Sequence, residues 1–209
     1  MQASTSPTYS SYLCLDELLS CQRPATDQHD EMLFIVIHQV YELWFKQILH
    51  EAGLLQRRLV EGNGAGALHT ARRIAKILKT IVGQLDVLET MTPRQFASFR
   101  PELGTASGFQ SEQFRVIERT LDDVYEALLT FLGGTPLDEV YAAEGEPAEV
   151  CESLVDIDEG IQEWRYRHVM MVQRIIGTRT GTGGSSGADY LRSTLFRPAF
   201  PELWAVRGG

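Results

Sequence analysis

The stretch from His29 to Glu51, HDEMLFIVIHQVYELWFKQILHE, constrains the fold more than any other part of the chain. At helical spacing Phe34, His38, Tyr41 (or Glu42) and Phe45 fall on one stripe. The remaining faces are almost as apolar, and a helix of that kind is buried inside a larger assembly rather than laid on a surface. His38 stands in its middle. A buried imidazole needs a partner for each ring nitrogen, or a ligand that supplies one. His38 is therefore either a satisfied core residue or part of a site.

A second histidine repeats the pattern. In EWRYRHVMMVQRIIGTRTGTGGSSGADYLRST, the residues Trp164, His168, Met171, Val172 and Ile175 share one helical face. Gly177 sits where a glycine ends a helix, and a glycine-rich loop follows. Two lone histidines on separate helices, with no cysteine or carboxylate at metal-ligand spacing, fit a zinc site poorly. They fit better with a large apolar cofactor gripped from one side, such as haem on a single axial histidine.

Length and composition narrow the class. The 209 residues suffice for one domain, 1–209, with a sizeable core. Three cysteines without CxxC pairing argue against a disulfide scaffold and for a reducing compartment. No charged-then-apolar leader and no apolar run long enough for a bilayer are visible, so a soluble, cytoplasmic protein with no membrane partner is expected. The net charge of −9 is local: residues 135–160 carry nine acids and no Lys or Arg, and the rest of the chain is neutral. With no basic patch, nucleic acid is not an expected partner. The acidic segment reads as a solvated connector with a short helix.

The chain reads as all-α, since no segment alternates with period two. Helices are predicted over 11–20, 29–60, 67–88, from Thr92-Pro93, over 111–132, around His168, and briefly over 189–194. Thr92, Pro93 and Gln95 form a helix start with N-cap, proline and capping-box partner. EGNGAG and Gly133-Gly134 end helices. The seam Ala67, Ala71, Ile74, Leu78, Ile81, Leu85 and Leu88 is helix packing, read as plain core or subunit interface.

Four blocks in order resemble the tryptophan 2,3-dioxygenase family: TYSSYLCLDELLS, HDEMLFIVIHQVYELWFKQILHE, MTPRQFASFRPELGTASGFQSEQFR and RHVMMVQRIIGTRTGTGGSSGADYLRST. FRPELGTASGFQS and GTGGSSGADYLRST are the most specific phrases. The resemblance implies a helical bundle that binds haem b between helices and opens the indole ring of L-tryptophan with O2, giving N-formyl-L-kynurenine. It also implies a homotetramer. Relative to the family the stretch between Arg115 and Glu163 looks short, as though a peripheral helical pair were missing.

The same resemblance assigns residues. His168 becomes the axial ligand of the haem iron, where a core histidine is the competing reading. His38 becomes the distal histidine, accepting the indole N–H and orienting the ring. Phe34 and Phe96 wall the substrate. Phe96 stands where some members have Tyr, which removes one hydrogen bond to the carboxylate, worth about 1 to 2 kcal/mol. Arg100 pairs with the substrate carboxylate, a planar fork suited to bidentate binding. Thr182, in GTGGSSG, contacts the amino-acid ammonium and carboxylate; this loop follows a helix and is not a phosphate loop. Ser107 and Gly108 line the distal, cofactor side, with the Ser107 hydroxyl placed to fix the tautomer of His38. Tyr9 and Tyr12 complete a neighbouring subunit's pocket. Two alternatives stand beside this reading: a related haem oxygenase, a monooxygenase among them, acting on a modified tryptophan or indole, and a haem-binding sensor without turnover.

Overall fold

A computed structural model describes residues 6–177, 179, 181 and 191–208 of the chain. Helices account for the regular structure throughout, and there is no strand among the described residues. In chain order the helices are α1 (Tyr9–Tyr12), α2 (Leu15–Leu18), α3 (His29–Val60), α4 (Gly64–Leu88), α5 (Pro93–Phe99), α6 (Glu112–Leu132), α7 (Leu137–Ala143), α8 (Glu146–Ile176) and α9 (Pro201–Ala205). No described helix is long and apolar enough to cross a membrane.

Four long helices make the body. α3 packs against α4 on one side and α6 on the other, and α4 packs against α8. The seam anticipated along 67–88 is core: Ala67, Ala71, Ile74, Leu78, Ile81, Leu85 and Leu88 are all buried. It meets Leu55 and Leu59 of α3 and Leu154 and Ile157 of α8, and each such buried side chain contributes about 1.5 to 3 kcal/mol. Where α8 crosses α4, a Cβ added to Gly160 would stand 3.1 Å from the Leu78 Cβ, so a side chain there would push the two helices apart.

Local chemistry sets the helix ends. The Thr92 capping box is present, with Thr92 N–H donating to Gln95 Oε1 at 2.8 Å and Pro93 in the first turn. The α3 boundaries agree with the spacing in the sequence, and α4 begins three residues earlier than its seam because Asn63 caps it. α6 stops at Gly133, whose φ of 61° is the left-handed conformation that glycine adopts without penalty.

Three expectations need correction. Residues 11–20 form no continuous helix: α1 and α2 are single turns separated at Cys14, which holds φ 50°, and neither buries a residue. Within the single chain α3 keeps an uncovered apolar face, with Met32, Val36 and Leu43 exposed. The acidic segment is a connector only as far as α7. From Glu146 onward it is the first half of α8, with Val150, Cys151, Leu154 and Ile157 buried and Glu149, Glu152, Asp156 and Glu159 outside. Counting charge hid that helical face. The C-terminal stretch also differs from the brief helix expected over 189–194. Phe200 and Leu203 are fully buried, and helix is seen at 191–192 rather than across the described part of 189–194.

One buried carboxylate holds that tail. Asp158 Oδ2 accepts from Ala199 N–H (2.9 Å), Phe200 N–H (3.2 Å) and Trp204 Nε1–H (2.9 Å). Replacing it, Asp158→Ala, leaves those donors facing a void. It should lower the unfolding free energy by about 2 to 4 kcal/mol and open the 197–205 backbone to proteolysis, both read by denaturant titration and limited digestion.

Candidate functional site

A cavity of about 910 Å³ opens between α3, the α5–α6 connection and α8. It brings together Phe34, His38, Phe96, Arg100, Ser107, Gly108 and His168, all named from the sequence. The stripe on α8 is confirmed in full, since Trp164, Met171, Val172 and Ile175 line it with His168. Tyr9 and Tyr12 do not reach it; both are 77% exposed on α1. Thr182 lies outside the described residues, and Gly181 and Leu191 on either side of that stretch line the cavity.

The aromatic wall is continuous. Phe34 lies 5.8 Å from Phe96 and 5.6 Å from Phe99, and its ring is tilted over His38 at 4.1 Å. On the α8 side Trp164 stacks on His168 at 5.1 Å with an interplanar angle of 18°. Phe114 from α6 lies 4.8 Å from the same indole, and Phe45 crosses it edge-on at 6.0 Å. Rings at such separations pack favourably in offset or edge-to-face arrangements and dominate the burial of a site.

Both histidines are kept uncharged by their surroundings. Burial pushes the His168 imidazole down to about 4, with repulsion from His38 adding to the effect. His168 is deep in the protein yet only partly covered, because it faces the cavity. Burial also lowers His38, opposed by its hydrogen bond to Phe34 and by the Glu42 carboxylate. His38 Nδ1 stands 2.7 Å from the Phe34 carbonyl oxygen. A carbonyl only accepts, so Nδ1 carries the proton and Nε2 keeps its lone pair. This corrects the role expected of Ser107: Phe34, one turn earlier on α3, fixes the tautomer. The Ser107 hydroxyl instead accepts from Phe109 N–H at 3.4 Å and caps a short 3-10 turn.

Polar groups gather at the rim. Arg165 donates to Glu118 at 2.7 Å, linking α8 to α6, and Gln113 donates to both the backbone and the carboxylate of Glu42 at 2.8 Å. Arg100 opens the 3-10 turn Arg100–Leu103 directly after α5. The sequence reading missed Phe114, Phe109, Arg115 and Glu118, which the structure places on the lining. Phe114 follows the Ser111 cap by three residues, so its place on the first turn of α6 was legible, but its facing was not. Among the described residues no three His, Cys, Asp or Glu side chains gather as a caged metal ion would require. The Trp164 indole nitrogen is buried without a hydrogen-bond partner.

The geometry can be set beside known proteins. The family model for tryptophan 2,3-dioxygenase matches residues 1–133 and 134–208. A tryptophan 2,3-dioxygenase of Anaeromyxobacter sp. strain K is 51% identical, covering 98% of this chain and 97% of the relative. One from Herpetosiphon aurantiacus is 46% identical over 96% and 97%, and one from Bacillus thuringiensis strain Al Hakam 37% over 96% and 91%. The alignment to the Anaeromyxobacter protein runs over 256 positions, more than the 209 residues here, so the relative carries a segment that this chain lacks. The family match breaks between Gly133 and Gly134, which is where the structure turns directly from α6 towards α7. The shortening read from the sequence is thereby located.

The histidines give the ligand-free protein a defined pH response. A depressed imidazole stays neutral in the folded state while the unfolded chain takes up a proton below its ordinary value of 6.5. The stabilisation is therefore complete above 6.5 and is lost as the pH falls towards about 4. The decline attributable to His168 should be on the order of 2 to 3 kcal/mol, and His168→Phe should show a shallower loss over that window in denaturant titrations.

Proposed function

The chain belongs to the tryptophan 2,3-dioxygenase family, and from that membership we propose that it is a haem-dependent enzyme opening the indole ring of L-tryptophan with O2 to N-formyl-L-kynurenine. The observation that supports this most directly is the pair of neutral histidines, His38 on α3 and His168 on α8, lining one aromatic cavity with Arg100.

The residues present fit a haem b. A volume of about 910 Å³ accommodates a porphyrin together with an amino acid, and its walls are chiefly apolar and aromatic. His168, an uncharged ring on the α8 wall held in orientation by the stacked Trp164, would hold the haem iron through its imidazole. Haem, when bound, supplies the iron centre that activates dioxygen.

The remaining work falls to the chain. Phe34 and Phe96 form an apolar wall for the indole, excluding water from the ring. His38 Nε2, left as an acceptor by the Nδ1–H bond to Phe34, receives the indole N–H and fixes the ring's rotation. Arg100 receives the carboxylate with its planar fork. By resemblance Thr182 adds a hydroxyl to that clamp, and Ser107 and Gly108 contribute the distal, cofactor-side turn. The chain acts as one unit over 1–209 within a homotetramer. In that assembly Tyr9 and Tyr12, exposed in the single chain, cover the pocket of a neighbouring copy.

Purified protein given haem, L-tryptophan and labelled dioxygen should yield a product carrying both labelled atoms by mass spectrometry. One labelled atom would make it a monooxygenase, and no turnover with haem bound would favour a modified indole. His168→Ala should lose stoichiometric haem absorbance. Arg100→Lys should raise the KM for tryptophan about tenfold with a smaller change in kcat, because a point charge replaces a bidentate fork at a cost of about 1 to 2 kcal/mol.

A further inference from the structure

A second, smaller cavity lies deeper in the protein, where α3, α4, α6 and α8 meet. It holds about 20 Å³ and is walled by Ala52 and Ile48 of α3, Ile74 and Leu78 of α4, Leu121 of α6 and Ile157 of α8. Its lining is almost wholly carbon. The one hydroxyl among the lining residues, on Thr120, is already bonded to the Val116 carbonyl at 2.8 Å. The only other polar side-chain group among the lining residues is the Trp164 indole N–H, a single donor, and water in a protein interior needs two to four polar partners, so this space favours an apolar guest.

Its size and position are informative. A water occupies roughly 10 to 15 Å³ in such a space, so the cavity takes a single small molecule and excludes an amino acid. Phe45, Phe114 and Trp164 line both this cavity and the large one. Only that layer of side chains separates the two, and Trp164 is the ring stacked on His168. An empty apolar cavity leaves its lining atoms without dispersion partners on one side, a loss that an apolar guest restores. Dioxygen is such a guest: small, uncharged, and more favourably placed among hydrocarbon side chains than in water.

We propose that the inner cavity is a docking site for a diatomic gas, holding dioxygen one aromatic side chain away from the pocket in which it is consumed. The cavity's capacity for gas rests on its own walls. Its use for dioxygen rests on the dioxygenase reading above. Gas would pass by movement of the Phe45, Phe114 and Trp164 rings, which are the common wall.

Xenon, an inert apolar probe, tests the site without turnover. In haem-loaded ferrous protein kept diamagnetic with one equivalent of carbon monoxide, the excess gas removed under argon, xenon should produce saturable shifts of the Ile74, Leu78 and Leu121 methyl resonances. Ala52→Ile, which fills the space from α3, should remove them, and Ala52→Val serves if the larger side chain prevents folding. With oxygen concentration varied, the filled variant should show a several-fold higher KM for O2 with kcat and the KM for tryptophan unchanged. Xenon shifts that fail to saturate, or that persist in the filled variant, overturn the site. Saturable shifts with an unaltered KM for O2 overturn its role in supplying the reaction. Loss of tryptophan turnover in the unmodified protein, with the xenon shifts intact, counts against the dioxygenase reading and leaves the gas site standing.

Discussion

The close crossing of α8 on α4 at Gly160 and Leu78 is the contact on which the site depends. Gly160, Trp164 and His168 follow one another at four-residue steps, so they lie along one side of α8. Bringing the backbone against Leu78 at the first of them commits the other two to the interior, where they line the large cavity. Arg167 holds the adjoining face to α4 through Asp86 at 2.6 Å and Glu89 at 3.3 Å. These exposed or half-exposed pairs orient more than they stabilise. Packing fixes His168 on the cavity wall, and the salt bridges trim the angle of its helix.

From that placement the electrostatics follow. An imidazole stacked on Trp164, itself packed against Phe114 and Tyr41, has little to solvate a positive charge, so it remains neutral at pH 7. The neutral form is the one able to ligate a metal. The same desolvation acts on His38, but there a local bond to the Phe34 carbonyl also decides which nitrogen is free. One physical effect thus leaves both imidazoles neutral, and at His38 the backbone bond also leaves Nε2 as a free acceptor.

None of the residues around the shortening at Gly133-Gly134 is among those lining the large cavity, whose α6 members, Phe114, Arg115 and Glu118, lie in that helix's first two turns. Surfaces left apolar lie elsewhere. Met32, Val36 and Leu43 on α3 and Tyr9, Tyr12 and Leu19 in the N-terminal turns are exposed in the single chain. A helix as apolar as α3 is expected to be covered on that face in an assembly, which accords with the homo-oligomer inferred from the family resemblance.

By itself the sequence determined the long helices α3, α4 and α6, the start of α5 and most of their ends. The span His29–Val60, the Thr92 capping box and the stop at Gly133 are written in residue spacing and cap chemistry, which act over a few neighbouring residues. It also marked His38 and His168, since a lone imidazole on an apolar stripe is conspicuous. The first half of α8 escaped notice because its outer acids outweighed its buried Val150, Leu154 and Ile157 when charge was read along the chain. Only the tertiary structure decided what faces what. Phe114 against Trp164, Asp158 beneath the C-terminal tail and the small apolar cavity between four helices join residues far apart in the chain. Periodicity tells which side of each helix is apolar; the partner it meets is settled by how the helices pack together.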